Sequence, residues 1–378
     1  NVDPNLSIEE ALLRRDFTIN AMLEDILDGT IHDPYGGRAD LNARKLRVVD
    51  ESKFGEDPLR VLRGVQLAGR LELVADDATK ELMASTVGQL DELSIDRKRT
   101  EWRKLWLKAR KPSVGLQLAF DIGMFDDELQ IFKKLKATHQ DKEWHPEGDV
   151  WVHTIWVVDE AAKVADREKL DEKSRMMVML GALCHDLGKP ETTSESEGHI
   201  HAHGHADEGV KYVERVLTEM GLEGFTRAVE ALTKYHMAPP YWFKKQEEAN
   251  EGALRRLARK MKPATLTILA HVAEADRRGR GPFPNNESLI DMSFPKWFIE
   301  VARQFDVHNK PPGDIIRGGD LIKIGYKPGP HFGNVIRAAN ELFDEHGKTR
   351  DEILEALVLT RNVAMVEDYK MIVKRLSE

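Results

Sequence analysis

Six side chains of metal-ligating type recur along the middle of the sequence: His153, the adjacent pair His185 and Asp186, His205, His236 and Asp276. The pair closes an apolar run from Met176 through Leu180 to Ala182-Leu183-Cys184, which reads as a buried helix. An imidazole and a carboxylate buried side by side are costly unless something pairs them. A divalent metal is the common solution, because it takes neutral imidazole nitrogen and carboxylate oxygen together. The dipeptide alone also fits a satisfied core histidine beside a helix-end aspartate. Its flanks favour the metal: the other four residues each sit on, or at the start of, a segment with helical apolar spacing. A donor set of His and Asp without Cys favours Mn, Ni, Co, Fe or Mg over structural zinc.

The order His, His-Asp, His, His, Asp resembles the HD superfamily of metal-dependent phosphohydrolases. That resemblance implies one metal on His153, His185, Asp186 and Asp276, with Asp186 bridging to a second on His205 and His236. The implied reaction is hydrolysis of phosphomonoesters or phosphodiesters, 2′,3′-cyclic phosphates included. Catalysis then centres on Asp186 and His185, and Lys189 is either a phosphate contact or a solvated lysine. Gly209, four residues after His205, allows close approach at a helix entrance. The run His199 to His205 alternates at period two, so an extended chain would put four imidazoles on one face. Of these, His201 and His203 are candidate phosphate contacts. His145, in Trp144-His145-Pro146-Glu147, is read as a junction residue and not a ligand.

The N-terminal third carries different chemistry. Ser7 and Glu10 form a capping-box start, and Ala11, Leu12, Phe17, Ile19 and Met22 are expected to continue one helical face. The stretch Gly29 to Gly37 reads as a strand entering a tight turn, and Lys45 to Val49 as a further strand. Asp57-Pro58 opens a helix on which Arg60, Arg63 and Arg70 share roughly one face, suited to phosphates or base edges. A basic stretch follows, Arg97-Lys98-Arg99 with Arg103, Lys104, Lys108, Arg110 and Lys111, with Trp102 and Trp106 interleaved. Interleaved tryptophans point to a phosphate-backbone surface; a solvated helix face is the alternative. The second cluster, Arg255, Arg256, Arg259, Lys260 and Lys262, reads as a solvated face.

Arg14-Arg15-Asp16-Phe17-Thr18-Ile19-Asn20-Ala21, then Asp33-Pro34-Tyr35-Gly36-Gly37, then Glu56-Asp57-Pro58-Leu59-Arg60, then Arg97 with Glu101, resemble successive motifs of the bacterial-type tRNA CCA-adding nucleotidyltransferase and poly(A) polymerase family. The resemblance assigns Arg15, Asp16 and Asn20 to the nucleotide's sugar and phosphates, and Asp57 with Arg60 to the base edge. It adds Arg97 to the nucleotide site; the cationic helix face adds Arg63 there, and the basic stretch offers Arg99, Arg103 and Lys104 to RNA. It implies tRNA, CTP and ATP as partners, and magnesium on an upstream Asp-x-Asp pair. No such pair occurs between Asn1 and Ile8, so this chain alone is not expected to add nucleotides. A truncated start is the first explanation, since residue 1 is Asn; a natural split or decayed head is the second. The turn Pro328-Gly329-Pro330 to Gly333 resembles the same family's tail, which contacts the tRNA body.

At 378 residues, 41% hydrophobic and 32% charged, the chain suits two or three helix-rich domains. A net charge of −9 argues against indiscriminate nucleic-acid binding, although it hides local patches. No apolar run approaches the roughly 18 residues of a membrane span, so no membrane partner is expected. The single cysteine, Cys184, fits a reducing cytoplasm. The expected fold is mostly α: a short α/β nucleotidyltransferase remnant (1–50), helical neck (51–140), helical HD domain (141–290) and helical tail (291–378). The expected function is tRNA 3′-end processing with an HD phosphohydrolase activity. The alternatives are a non-catalytic tRNA-binding fragment and an HD nucleotidase acting on small nucleotides. Oligomeric state is not legible.

Overall fold

The computed structural model describes residues 6–281 and 292–364, and the fold is mostly α. The first residues up to 5 and the first part of the expected linker region 285–312 lie outside the described residues. Two compact units emerge, one of residues 1–237 with 271–292, the other of 238–270 with 293–378.

In the first unit, α1 (Ile8–Leu13) carries the expected capping box: Glu10 N donates to Ser7 Oγ, and Ser7 N to Glu10 Oε2. The helix does not continue through Phe17 and Met22 as its apolar spacing suggests. Asp16 Oδ1 accepts from Phe17 N at 2.8 Å and from Asn20 Nδ2 at 3.1 Å, a local bonding pattern that competes with helix. Phe17 turns extended, bridges Val48 and is fully buried. Short strands follow: β1 (Leu23–Glu24) pairs antiparallel with β2 (Ile31–His32). Asp33 then receives the Gly37 and Arg38 amides, capping α2 (Gly37–Asn42). β3 (Lys45–Leu46) pairs in parallel with β4 (Val74–Ala75).

Asp57 Oδ1 accepts from Leu59 N at 3.2 Å, so α3 (Leu59–Leu71) starts where the Asp-Pro signal placed it. After α4 (Asp77–Thr86) come α5 (Ile95–Lys108), α6 (Pro112–Asp121) and α7 (Ile131–Ala137). Gly115 lets α6 lie directly on α3: a β-carbon there would meet Val65 O at 2.4 Å. Trp102 and Trp106 sit four residues apart on the inward face of α5, buried and stacked with centroids 6.0 Å apart. They are core, which corrects the expectation of an aromatic-interleaved RNA surface; the basic residues occupy the helix's other faces. Phe125, Phe132 and Trp151 form an aromatic cluster, with Phe125 4.9 Å from Phe132 and 5.7 Å from Trp151. Trp151 Nε1 also donates to Gln117 Oε1, anchoring α8 (Val150–Arg167) two residues before His153.

α9 (Glu172–Cys184), capped by Asp171, is buried from Arg175 to its end, as the apolar run required. The short α10 (Lys189–Thr192) leads into the hairpin β5 (Thr193–Ser196) and β6 (His199–Ala202), then α11 (His205–Glu219) and α12 (Thr226–Tyr235). Only His199 and His201 of the histidine run are in the strand; His203 is in the turn and His205 opens α11, so the four imidazoles do not share one extended face.

The second unit contains α13 (Ala238–Lys244) and α14 (Glu251–Lys260), and it takes the first residues of α15 (Leu266–Arg278). It continues through α16 (Ser293–Gln304), α17 (Gly318–Lys323), α18 (Phe332–His346) and α19 (Arg350–Ala364). Its core includes Ile316, Leu321, Val335, Leu342 and Leu357. The second basic cluster is not a solvated face: Arg255 and Arg259 both bond Asp344, whose side chain is buried, and Arg256 pairs with Glu345.

Candidate metal centre

Five helices deliver the six ligand-type side chains to one place in the first unit. Asp149 caps α8 by accepting from Val152 N, setting His153 in the first turn facing inward. His185 and Asp186 follow α9, His205 opens α11, His236 follows α12, and Asp276 lies on α15. His153, His185, Asp186, His236 and Asp276 are buried, and His205 is partly so. The α11 entrance comes this close because both helices offer glycine: a β-carbon on Gly188 would lie 2.1 Å from His205 O and 2.5 Å from Gly209 N.

The rings share one orientation. Nδ1 of His185, His205 and His236 lies 2.8, 2.7 and 2.7 Å from the carbonyls of Ala182, Ala202 and Thr233. A carbonyl only accepts, so Nδ1 carries the proton and Nε2 keeps its lone pair. The Nε2 atoms then meet in pairs, His153 with His185 at 3.3 Å and His205 with His236 at 3.2 Å. Asp186 sits between the pairs, Oδ2 at 3.1 Å from His185 and Oδ1 at 3.4 Å from His205. Asp276 Oδ1 is 3.2 Å from His153 Nε2. Opposed lone pairs repel unless a cation lies between them. The donor atoms form two groups, His153-His185-Asp186 and Asp186-His205-His236, each within 4.8 Å, and so fit two divalent ions sharing one carboxylate.

The electrostatics of His236, His205 and Asp186 agree with that fit. Burial, reinforced by His205 and His185, pushes His236 down to about 3, and burial also lowers His205, which leaves both imidazoles in the neutral ligand form. Burial alone would raise the Asp186 carboxyl; His185, Lys189 and His205 outweigh it and hold it well below the usual carboxylate range. Burial opposes protonation of His185, but Asp186 beside it wins and raises that ring. Lys189 is buried, its Nζ 2.7 Å from Asp186 Oδ2 and 2.8 Å from Gln140 Oε1.

A second constellation lies in the same unit. Arg14, Arg15, Asp16, Asn20, Asp57, Arg60 and Arg63 line one polar cavity. Both of its carboxylates are paired, and its arginines outnumber them. Asp16 Oδ2 accepts from Arg63 Nη1 at 2.7 Å, and Asp57 pairs with Arg97 at 2.8 Å. Arg60 is buried and donates to the Lys53 and Arg14 carbonyls at 2.6 and 3.0 Å, so the guanidinium that pairs with Asp57 is that of Arg97, not that of Arg60. Of the residues assigned to RNA, Arg99 bonds Asp96, Glu223 and the Gly221 carbonyl, Arg103 pairs with Glu172, and Lys104 with Glu101.

Known proteins match both constellations. Residues 1–47 match the Poly A polymerase head domain family, and residues 150–277 match the HD domain family. The multifunctional CCA protein of Actinobacillus pleuropneumoniae (serotype 5b) is 32% identical over 316 residues, covering 80% of this chain and 73% of that protein. That of Vibrio cholerae is 35% identical over 300 residues, covering 76% and 71%. The chain belongs to the family of multifunctional CCA proteins. The Bacillus stearothermophilus CCA-adding enzyme, solved in complex with CTP, shares the fold of this chain at 20% identity, with a TM-score of 0.53 over 95% of this chain and 75% of that one.

Two further residues beside the candidate centre lie just outside the matched HD segment. Glu147 Oε1 is 2.8 Å from Nδ1 of both His145 and His153, and Oε2 accepts from Gly281 N. Burial would raise its carboxyl, but the two histidines hold it down at about 2. Arg280 reaches Asp276 at 3.3 Å. His145 is thus a partner of Glu147 behind His153. The Pro-Glu after His145 was the available signal for Glu147, but it lies in a turn with no periodicity to give it a direction.

Proposed function

We propose that this chain processes the 3′ ends of tRNA in the cytoplasm and that its HD centre hydrolyses phosphomonoester and 2′,3′-cyclic phosphodiester bonds. The observation that carries this reading is the pair of opposed imidazoles sharing Asp186. His153, His185, Asp186 and Asp276 would hold one Mn, Ni, Co or Mg ion, and Asp186, His205 and His236 a second. When bound, such ions polarise a phosphate ester and activate water. The chain's own residues do the positioning: carbonyls orient the imidazoles, Glu147 backs His153, and Lys189 and Arg280 offer positive charge to a phosphate. In this reading residues 1–50 are head, 51–140 neck, 141–290 the HD domain and 291–378 a tRNA-gripping tail.

The matched cavity of Arg15, Asp16, Asn20, Asp57, Arg60, Arg63 and Arg97 would receive CTP or ATP, displacing its internal ion pairs, with Arg99, Arg103 and Lys104 along the RNA. Residues 1–47 hold no Asp-x-Asp pair, so nucleotide addition by this chain alone is not expected. The test is turnover of bis-p-nitrophenyl phosphate and 2′,3′-cAMP with added Mn, Ni or Mg, for the full chain and Asp186→Ala. Metal-dependent turnover should fall by at least about 10³-fold in the variant. A wild-type chain inert with every metal would defeat the hydrolase reading.

A further inference from the structure

The cavity over the metal centre has a charged floor, where Asp186, Lys189, Asp276 and Arg280 converge, and one wall of a different kind. That wall carries Trp144, which is 55% exposed. Among the described residues no aromatic ring stacks on it, whereas the buried Trp102, Trp106 and Trp151 all have ring partners. An indole left half in water is an apolar cost that a folded chain normally avoids by turning the ring inward. Here the ring is held out by a built turn. Trp144 N and His145 N both donate to Asp141 O, at 3.2 and 2.8 Å.

The Asp141 side chain ties that turn to the neighbouring hairpin. Oδ1 accepts from Glu143 N at 2.9 Å, and Oδ2 accepts from Ile200 N at 3.3 Å and faces His199 Nδ1 at 3.2 Å. His201 and His203, next along the hairpin, line the same cavity with rings stacked 5.4 Å apart at 14°. The backbone that carries Trp144 is therefore tied to the hairpin. The mouth presents a flat π surface on one side, cationic groups at the floor and imidazoles between. A phosphate at one end and a planar apolar ring at the other describe a nucleotide.

We infer that Trp144 is the platform on which the nucleobase stacks when a nucleotide's phosphate lies at Asp186, Lys189 and Arg280. Trp144 thus sets the specificity of this site for nucleotides over base-free phosphate esters. The inference rests on the hydrolase reading for where the phosphate lies. Stacking on an aromatic side chain tolerates any base, so the platform selects for a base without choosing among bases.

The experiment compares 2′,3′-cAMP with glycerol 1,2-cyclic phosphate, which keeps the reacting ring and lacks the base, using the full chain with its activating metal. Trp144→Ala should raise KM for 2′,3′-cAMP roughly 10- to 100-fold with kcat held. It should leave kcat/KM for the glycerol ester within about two-fold, since that ester makes no stacking contact. Trp144→Phe should recover most of the loss. Equal losses on both substrates, or no loss on either, would overturn the assignment. If the wild-type chain hydrolyses neither substrate, the hydrolase reading fails and equilibrium dialysis of 2′,3′-cAMP decides the platform separately. Binding that Trp144→Ala abolishes sustains it; equal binding by both proteins, or none by wild type, rejects it.

Discussion

The metal centre and the N-terminal cavity are both lined by charged and titratable groups, yet they are satisfied in opposite ways. In the cavity, unlike groups meet: Asp16 with Arg63, Asp57 with Arg97, and Arg60 with two backbone carbonyls. In the metal centre, like groups meet: four Nε2 atoms are paired at 3.2 to 3.3 Å with their protons held on the far side of each ring. The first arrangement is stable by itself, and a nucleotide must compete with it. The second needs positive charge between its rings, which two divalent cations would supply. A site whose groups repel one another therefore points to its ligand more directly than one whose carboxylates are already paired.

Substitutions can sharpen that contrast. Arg63→Ala leaves the buried Asp16 carboxylate without its cation and should destabilise the fold by about 3 kcal/mol in urea titrations. An unchanged denaturation midpoint would mean that the cavity is not internally balanced. Glu147→Gln should weaken metal binding roughly 10- to 100-fold by loosening the ring of His153, with little change in melting of the metal-free protein. Unaltered metal affinity would remove Glu147 from the centre. Arg97→Ala, which opens a half-exposed pair, should cost about 0.5 kcal/mol or less in the same urea titration. A loss as large as that of Arg63→Ala would erase the distinction between the buried and exposed pairs.

That the six ligand-type residues would gather was legible because His and Asp are common metal-ligating types, and their order survives in sequence while helices carry them into space. The Gly209 signal was legible for the same reason: close approach needs glycine, and Gly188 faces it. Glu147 escaped because it lies in a proline-interrupted turn, where no periodicity says which way a side chain points. Trp102 and Trp106 misled because their basic neighbours suggested a surface, while their four-residue spacing put both on the buried face of α5. The end of α1 was hidden in Asp16, whose side chain captures the amide of Phe17 and diverts the backbone from helix. The partners that hold Arg60 in place, carbonyls of residues 46 and 7 positions away, are ones that no local pattern reveals.

The central claim is that two cations share Asp186. Metal-free protein titrated with Mn by calorimetry, with elemental analysis of the dialysed product, measures it most directly. Two ions bound per wild-type chain, one in His236→Ala and none in Asp186→Ala is the expected result. A single ion in wild type, or binding that survives Asp186→Ala, would contradict the shared-carboxylate centre.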